Sequence, residues 1–410
     1  MSVDNKLPEI RFKGFSGEWN YLTLGENAKF TKGQGYSKGD LVTSGSPIIL
    51  YGRLYTKYQT VITSVDTFVT EKDKSVKSMG EEVIVPASGE SPEDISRASV
   101  ISEPNVILGG DLNIVLPNKK IHSTFLALAI SNGRLKKELS SKAQGKSVVH
   151  IRNSDLADLG LILPTEYIEQ TAIGNYFQKL DSLINQHQQK HDKLSNIKKS
   201  MLEKMFPKQG ETIPEIRFKG FSGEWEKKEL GELAEIIRGA SPRPIEDPKW
   251  FDSQSSVGWL RIRDVTEQDG RIHYLEQRIS KLGQEKTRVL HEKHLLLSIA
   301  ASVGKPVVNY VETGVHDGFL IFKKPLFELE FMYQWLKSFE TKWQQFGQPG
   351  SQVNLNSDIV KNLTITIPTN EEQTVIGNYF QNLDALINQH QQQITKLNNI
   401  KQACLSKMFV

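Results

Sequence analysis

The side chains able to recognise something lie in or just after two stretches, roughly 26–150 and 232–350, which are unlike each other in sequence. The first holds Lys32, Gln34, Tyr36, Arg53, Tyr55, Ser88, Glu90, Arg97, Lys142, Gln144, Lys146, His150 and Arg152. The second holds Arg238, Arg243, Arg261, Arg263, Lys305, His316, Gln348, Ser351, Gln352 and Asn354. Arg and Lys reach guanine edges or phosphates, Gln and Asn pair bidentately with adenine, and glycine turns let a backbone approach a duplex. The loops AQGKSVVHIR (143–152) and GQPGSQVNLN (347–356) concentrate this pattern at the same place in each half. The chemistry implied is the reading of double-stranded DNA. For any one of these residues the plainer role, a solvated surface group, stands beside it.

Bond-making chemistry is missing. Gln144-Gly145-Lys146-Ser147 has the tail of a phosphate loop, but Ser140 stands where the first glycine belongs. The glycines of KGQGYSKG (32–39) are spaced wrongly for a dinucleotide fingerprint. No Gly-x-Ser-x-Gly elbow, no Asn/Asp-Pro-Pro-aromatic run and no Cys/His metal spacing is present. His187 and His191 are one helical turn apart, but the second copy has His390 followed by Ile394, which argues for a polar layer and against a metal pair. Glu93-Asp94 and Glu246-Asp247 lack a catalytic lysine arrangement, so a nuclease reading is weak. The expectation is no catalytic residue and no metal.

Repeated elements must position these loops. Thr171–Phe206 returns as Thr374–Phe409 with 25 of 36 aligned residues identical, and PEIRFKGFSGEW at 8–19 returns unchanged at 214–225. Both 36-residue copies have the apolar spacing of a long helix with a narrow seam: Ile173, Phe177, Leu180, Ile184, His187 and Leu194 in one, and Ile376, Phe380, Leu383, Ile387, His390 and Leu397 in the other. Each seam's natural partner is the other copy. In an antiparallel pair His187 and His390 would face each other and fix register. The variable regions share a rhythm of basic glycine turn (Lys32-Gly33, Arg238-Gly239), short strands and a helix. That rhythm predicts strands over 47–55 and 259–265, helices over 123–141 and 328–346, and helix caps at Asn153 and Asn356.

The fold class expected is therefore α+β, with two globules, two long helices that carry matching seams, and a pseudo-twofold internal repeat. The divisions are 1–160 (opening motif 8–26), 165–206, 207–364 (opening motif 214–232) and 369–410. A helix of about 34 residues is near 50 Å long. Over 410 residues the net charge of +3 is too weak to argue alone for nucleic acid. One cysteine, Cys404, fits a reducing compartment and a core position. Without a signal pattern or long apolar run, the chain is expected in the cytoplasm.

The flanking motifs, PEIRFKGFSGEW…LGE before each variable region and EQTxIGNYFQxLDxLINQHQQ…KLxNIKxxxLxKMF after it, resemble the specificity subunit of type I restriction-modification enzymes over nearly the whole chain. The resemblance implies two globular recognition domains joined by the two long helices as an antiparallel coiled-coil spacer, and an asymmetric split DNA site, one half per domain, read about one DNA turn or slightly more apart, roughly 34–36 Å. It implies two methyltransferase subunits and two endonuclease/translocase subunits as partners. S-adenosylmethionine, ATP and Mg2+ would be used by those partners, none by this chain. The alternative is a non-catalytic scaffold gathering two identical protein partners.

Overall fold

The computed structural model describes residues 6–145, 147–300, 303–346 and 355–409. It divides into two compact units. One comprises residues up to Gln188 together with Gln392 onward, and the other Gln189–Gln391. Both long helices, α1 (Tyr167–Lys204) and α2 (Asn370–Met408), are shared between the units, so each unit owns one half of each.

The two globules share one central five-stranded sheet topology, while some of their smaller sheets differ. In the first unit a five-stranded sheet runs in the order Ala28–Lys32, Leu112–Pro117, Val83–Pro86, Ser99–Ile101 and Val61–Ile62. In the second the order is Glu235–Arg238, Phe319–Lys323, Leu295–Ser298, Pro306–Asn309 and Arg271–Ile272. Every neighbouring pair is antiparallel except the last, which is parallel in both. The central strands Val83–Pro86 and Leu295–Ser298 are wholly buried, because both faces are covered. Val83 and Val85 pack with the apolar helix Ser123–Ser131, while Ile84 faces a second cluster. Leu295 and Leu297 pack with the helix Leu329–Phe339, and Leu296 faces the opposite way. A further two-stranded ladder, Asn20–Thr23 on Gly160–Leu163 and Glu226–Glu229 on Thr364–Ile367, ties the start of each half to its end.

Five local expectations are corrected. The run 47–55 is a strand only over Ser46–Ile49; past Gly52 it turns into the helix Arg53–Thr56. The run 259–265 ends its strand at Leu260, because the Asp264 carboxylate takes the Arg261 N–H (2.8 Å) and starts a helix. Helix 123–141 breaks at Gly133, which has φ +59°, and helix 328–346 tightens to 3-10 geometry from Glu340. Asn356 caps its helix through Asp358 N–H and Ile359 N–H, but Asn153 donates to Thr31 O instead, and Asp155 serves that end by accepting from Arg152 N–H.

Within each unit the helix halves run antiparallel. In the first, Tyr176 meets Cys404 and Asp181 meets Lys401; in the second, Lys198 meets Asp384 at 2.5 Å and the Phe206 ring stacks on Phe380. The seam is dry near the globules, where Ile173, Phe177, Leu180, Ile376, Phe380 and Leu383 are buried. Ile184, His187, Leu194, Ile387, His390 and Leu397 are half-buried, since along those turns a helix has less to pack on.

The opening motif is a clasp. Arg11 grips the buried Glu169 of α1 through Nε (2.6 Å) and Nη2 (2.7 Å), and donates to Gly17 O and Ser16 O. Arg217 repeats this on Glu372 of α2, with Gly223 O and Ser222 O. Gly17 and Gly223 both have φ +82°, a turn that favours glycine and presents those carbonyls. Trp19 and Trp225 follow into the cores.

Candidate nucleic-acid interface

The basic glycine turns fall at one structural position. Lys32 and Arg238 are each the last residue of the edge strand of the five-stranded sheet, and both are exposed. The next residue has to be glycine. A Cβ at Gly33 would sit 1.9 Å from Gly109 O, and one at Gly239 would sit 2.2 Å from His316 O. Gly33 N–H and Gly239 N–H then bond back to Leu112 O and Phe319 O.

In the first unit several candidates gather beside this turn. The ladder Ser88–Gly89 with Val149–His150 brings Ser88 Oγ to His150 Nδ1 (3.1 Å), and Tyr55 O–H donates to Ser88 O (2.8 Å). The Arg97 guanidinium lies over the Tyr55 ring and is held by Asp94 and Leu54 O. Burial pushes the Tyr55 phenol up to about 12, so it stays protonated and keeps the proton it donates to Ser88 O. Lys32, Gln34, Glu90, Gln144, His150 and Arg152 are exposed or half-buried on this side, and Lys142 is half-buried 3.7 Å from Asp158. Two candidates are engaged inside the domain. Tyr36 is buried, its hydroxyl bonded to Ser75 Oγ and accepting from Lys72 N–H. Arg53 is spent on Asp66, Gln59 and Ser64 O, and with Lys57 it holds the Asp66 carboxyl down at about 2.

In the second unit a cleft of about 820 Å³ opens between Phe251, Trp259, Arg261, Gln277, Arg278 and His316. Arg261 is held by Asp264 and Glu276, the neighbouring Arg263 by Glu267 and Glu276, and Arg278 donates to Ser255 O (2.7 Å). At one end Asp317 accepts from Arg243 Nη2 (2.6 Å) and Ser241 Oγ (2.8 Å), and its main-chain oxygen accepts from Arg238 Nε (2.6 Å). Burial works to raise the Asp317 carboxyl, but Ser241 and the cations outweigh it and keep it below the usual carboxylate range. Burial and the two arginines push His316 down against the pull of Asp317. His316 Nδ1 accepts from Gly318 N–H (2.9 Å), which assigns the proton of the neutral ring to Nε2. Lys305 is half-buried, its N–H bonded to Ser298 Oγ.

Lys146, Gln348, Ser351, Gln352 and Asn354 lie outside the described residues. Nothing in the sequence singles out Asp317, Ser241, Glu276 or Arg278. Among the described residues no group of three His, Cys, Asp or Glu is placed to hold a metal, and no helix is long and apolar enough to cross a membrane. The arrangement offers tethered guanidinium groups, amides and a neutral imidazole around an open cleft, which suits hydrogen bonding to a polyanion with base edges.

A family described as the type I restriction modification DNA specificity domain matches twice, over residues 16–196 and 222–399. The fold is similar to the crystal structure of a type I restriction-modification system S subunit from M. genitalium, with TM-score 0.64 and 14% identity, covering 98% of this chain and 99% of that one. It is also similar to a chain solved in work on complex assembly and conformational transition of a type I R-M system, with TM-score 0.52 and 17% identity, covering 95% of this chain and 97% of the other.

Proposed function

Because the chain belongs to the type I restriction-modification specificity family, we propose that its two globules read the unlike halves of an asymmetric bipartite DNA site for partners that carry the catalysis. The observation that carries this is one frame with two surfaces. The order of the five-stranded sheet and the basic glycine turn are the same in both units, while the groups around the turn differ. A shared frame with unlike readers suits two different words on one duplex.

The partners proposed are two copies of a methyltransferase subunit and two of an endonuclease/translocase subunit. The duplicated clasps, alike down to their exposed Glu9, Lys13, Ser16 and Glu18 and Glu215, Lys219, Ser222 and Glu224, give two equivalent sites for one kind of partner. Methyl transfer from S-adenosylmethionine to adenine N6, and ATP- and Mg2+-dependent cleavage, would reside on those partners in the cytoplasm. The test is methylome sequencing of a host expressing this chain with its methyltransferase partner. A single split motif with unlike halves is expected, and identical palindromic halves would overturn the assignment.

A further inference from the structure

Lys32 and Arg238 hold equivalent places, yet the chain differs at one matched position beside them. Counting back three residues from the strand partners of these cations, Asn113 and Leu320, gives Gly110 in the first unit and Asp317 in the second. The first unit thus keeps the cation without the carboxylate. What two unlike DNA words share is the phosphate backbone; what distinguishes them is base edges. A cation present in both units suits the shared feature, and an apparatus present in one suits the other.

Asp317 is the hub of that apparatus. It takes one N–H of Arg243 Nη2, while Ser241 Oγ bonds its other oxygen and also accepts from its N–H (3.1 Å). Arg243 is nevertheless 70% exposed, so its fork is fixed on one side and its remaining donors project from the protein. It stands two residues before Ile245, and Ile245 and His316 both line the cleft. An arginine held from behind by a carboxylate loses less rotamer freedom on contact, and its planar fork matches guanine O6 and N7.

We propose that Asp317 is a positioning residue that aims Arg243 at a guanine in the half-site of the second unit, whereas Arg238, and Lys32 in the first unit, hold phosphates. This rests on the DNA-reading function above. The test assembles the chain with its methyltransferase partner and measures methylation over a duplex pool randomised around the wild-type motif. If the wild-type assembly yields no bipartite motif, the functional reading itself fails; the proposal is judged by the variants against a wild-type motif. Arg243→Lys removes the bidentate fork and keeps the charge at an exposed site that folding does not need. It should cut the preference for guanine at one position of the second half-site by roughly 5- to 150-fold and leave the first half-site intact. Asp317→Asn should relax that same position by a smaller factor and add nothing to Arg243→Lys. Arg238→Ala and Lys32→Ala should leave the motif unchanged, weaken binding to all sequences alike and flatten the salt dependence by about one counterion. An unchanged motif in Arg243→Lys, relaxation at a different position in Asp317→Asn, or an altered motif in Arg238→Ala would overturn the proposal.

Discussion

The clasp predicts a large and duplicated stability effect. Arg217 makes four hydrogen bonds, two to Glu372 at 2.7 Å each and two to the carbonyls of Ser222 and Gly223, and the carboxylate is 1% exposed. Arg217→Met would leave that carboxylate buried without its cation. The helix N-terminus offsets some of the cost, since Glu372 lies in the first turn of α2. Breaking a buried pair by removing one partner costs about 3–5 kcal/mol. For a unit of this size, each kcal/mol lowers the melting temperature by about 2–4 °C, so a drop of roughly 6–20 °C is expected. Arg217→Met with Glu372→Met leaves no buried charge and should recover more than half of the loss. The assay is thermal and urea denaturation, with amide hydrogen exchange reporting separately on the five-stranded sheet of each unit, because two units need not unfold together. Arg11→Met should repeat the cost on Glu169, whose side chain is also 1% exposed, within about 1 kcal/mol. A cost below about 1 kcal/mol for Arg217→Met, or a double variant worse than the single, would refute the argument.

Three further outcomes follow from the same geometry. Gly33→Ala and Gly239→Ala should each destabilise by about 1–3 kcal/mol or more in urea melts, because the new Cβ meets a backbone oxygen that cannot rotate away. His316 titrates below its ordinary value when folded, so the unfolded chain takes up its proton first; the stability from the neutral ring is present above about pH 6.5 and lost as pH falls through the folded value. Chemical denaturation between pH 8 and 5 should show this slope in the second unit, and His316→Gln should reduce it. Replacing His187 and His390 together with Leu should raise the melting temperature by a few degrees, since two half-buried polar seam positions become apolar; an unchanged melt would count against a polar layer in the seam.

What could be read in advance was whatever is encoded locally or by repetition. The clasp residues are visible as an unbroken 12-residue repeat, and Lys32-Gly33 and Arg238-Gly239 as matching tokens, because a close backbone approach leaves glycine as the one residue that fits. Hidden were contacts made by folding residues far apart in the chain. Asp317 meets Ser241 and Arg243 across more than 70 residues, and nothing near it marks it as more than a turn. Arg53 looks like a surface cation until Asp66 and Gln59 are placed around it. Tyr36 looks like a stacking residue until its ring is buried under Lys72. The split of 47–55 and 259–265 into strand and helix was hidden for a related reason, since β-branched runs carry no sign of where a carboxylate or a glycine ends the ladder.

The repeated aspartates indicate how unlike reading surfaces are accommodated on one frame. Asp181 and Asp384 occupy the same position of the two helix copies, and each pairs with the matching lysine, Lys401 or Lys198. Each carboxylate has capacity left over, and the variable region fills it in its own way. In the first unit Thr60 Oγ1 donates to Asp181 Oδ2 at 3.2 Å. In the second, Arg271 (3.2 Å) and Gln334 Nε2 (2.8 Å) reach Asp384, and Arg271 is itself gripped by Glu330 and lies over the Tyr333 ring. A neutral hydroxyl in one case and a guanidinium in the other satisfy the same group. Besides its buried sheet and helix, the frame therefore asks of a variable region that it deliver a donor to this point and a glycine to the sheet edge. The surface around the glycine turn is what is left open to change.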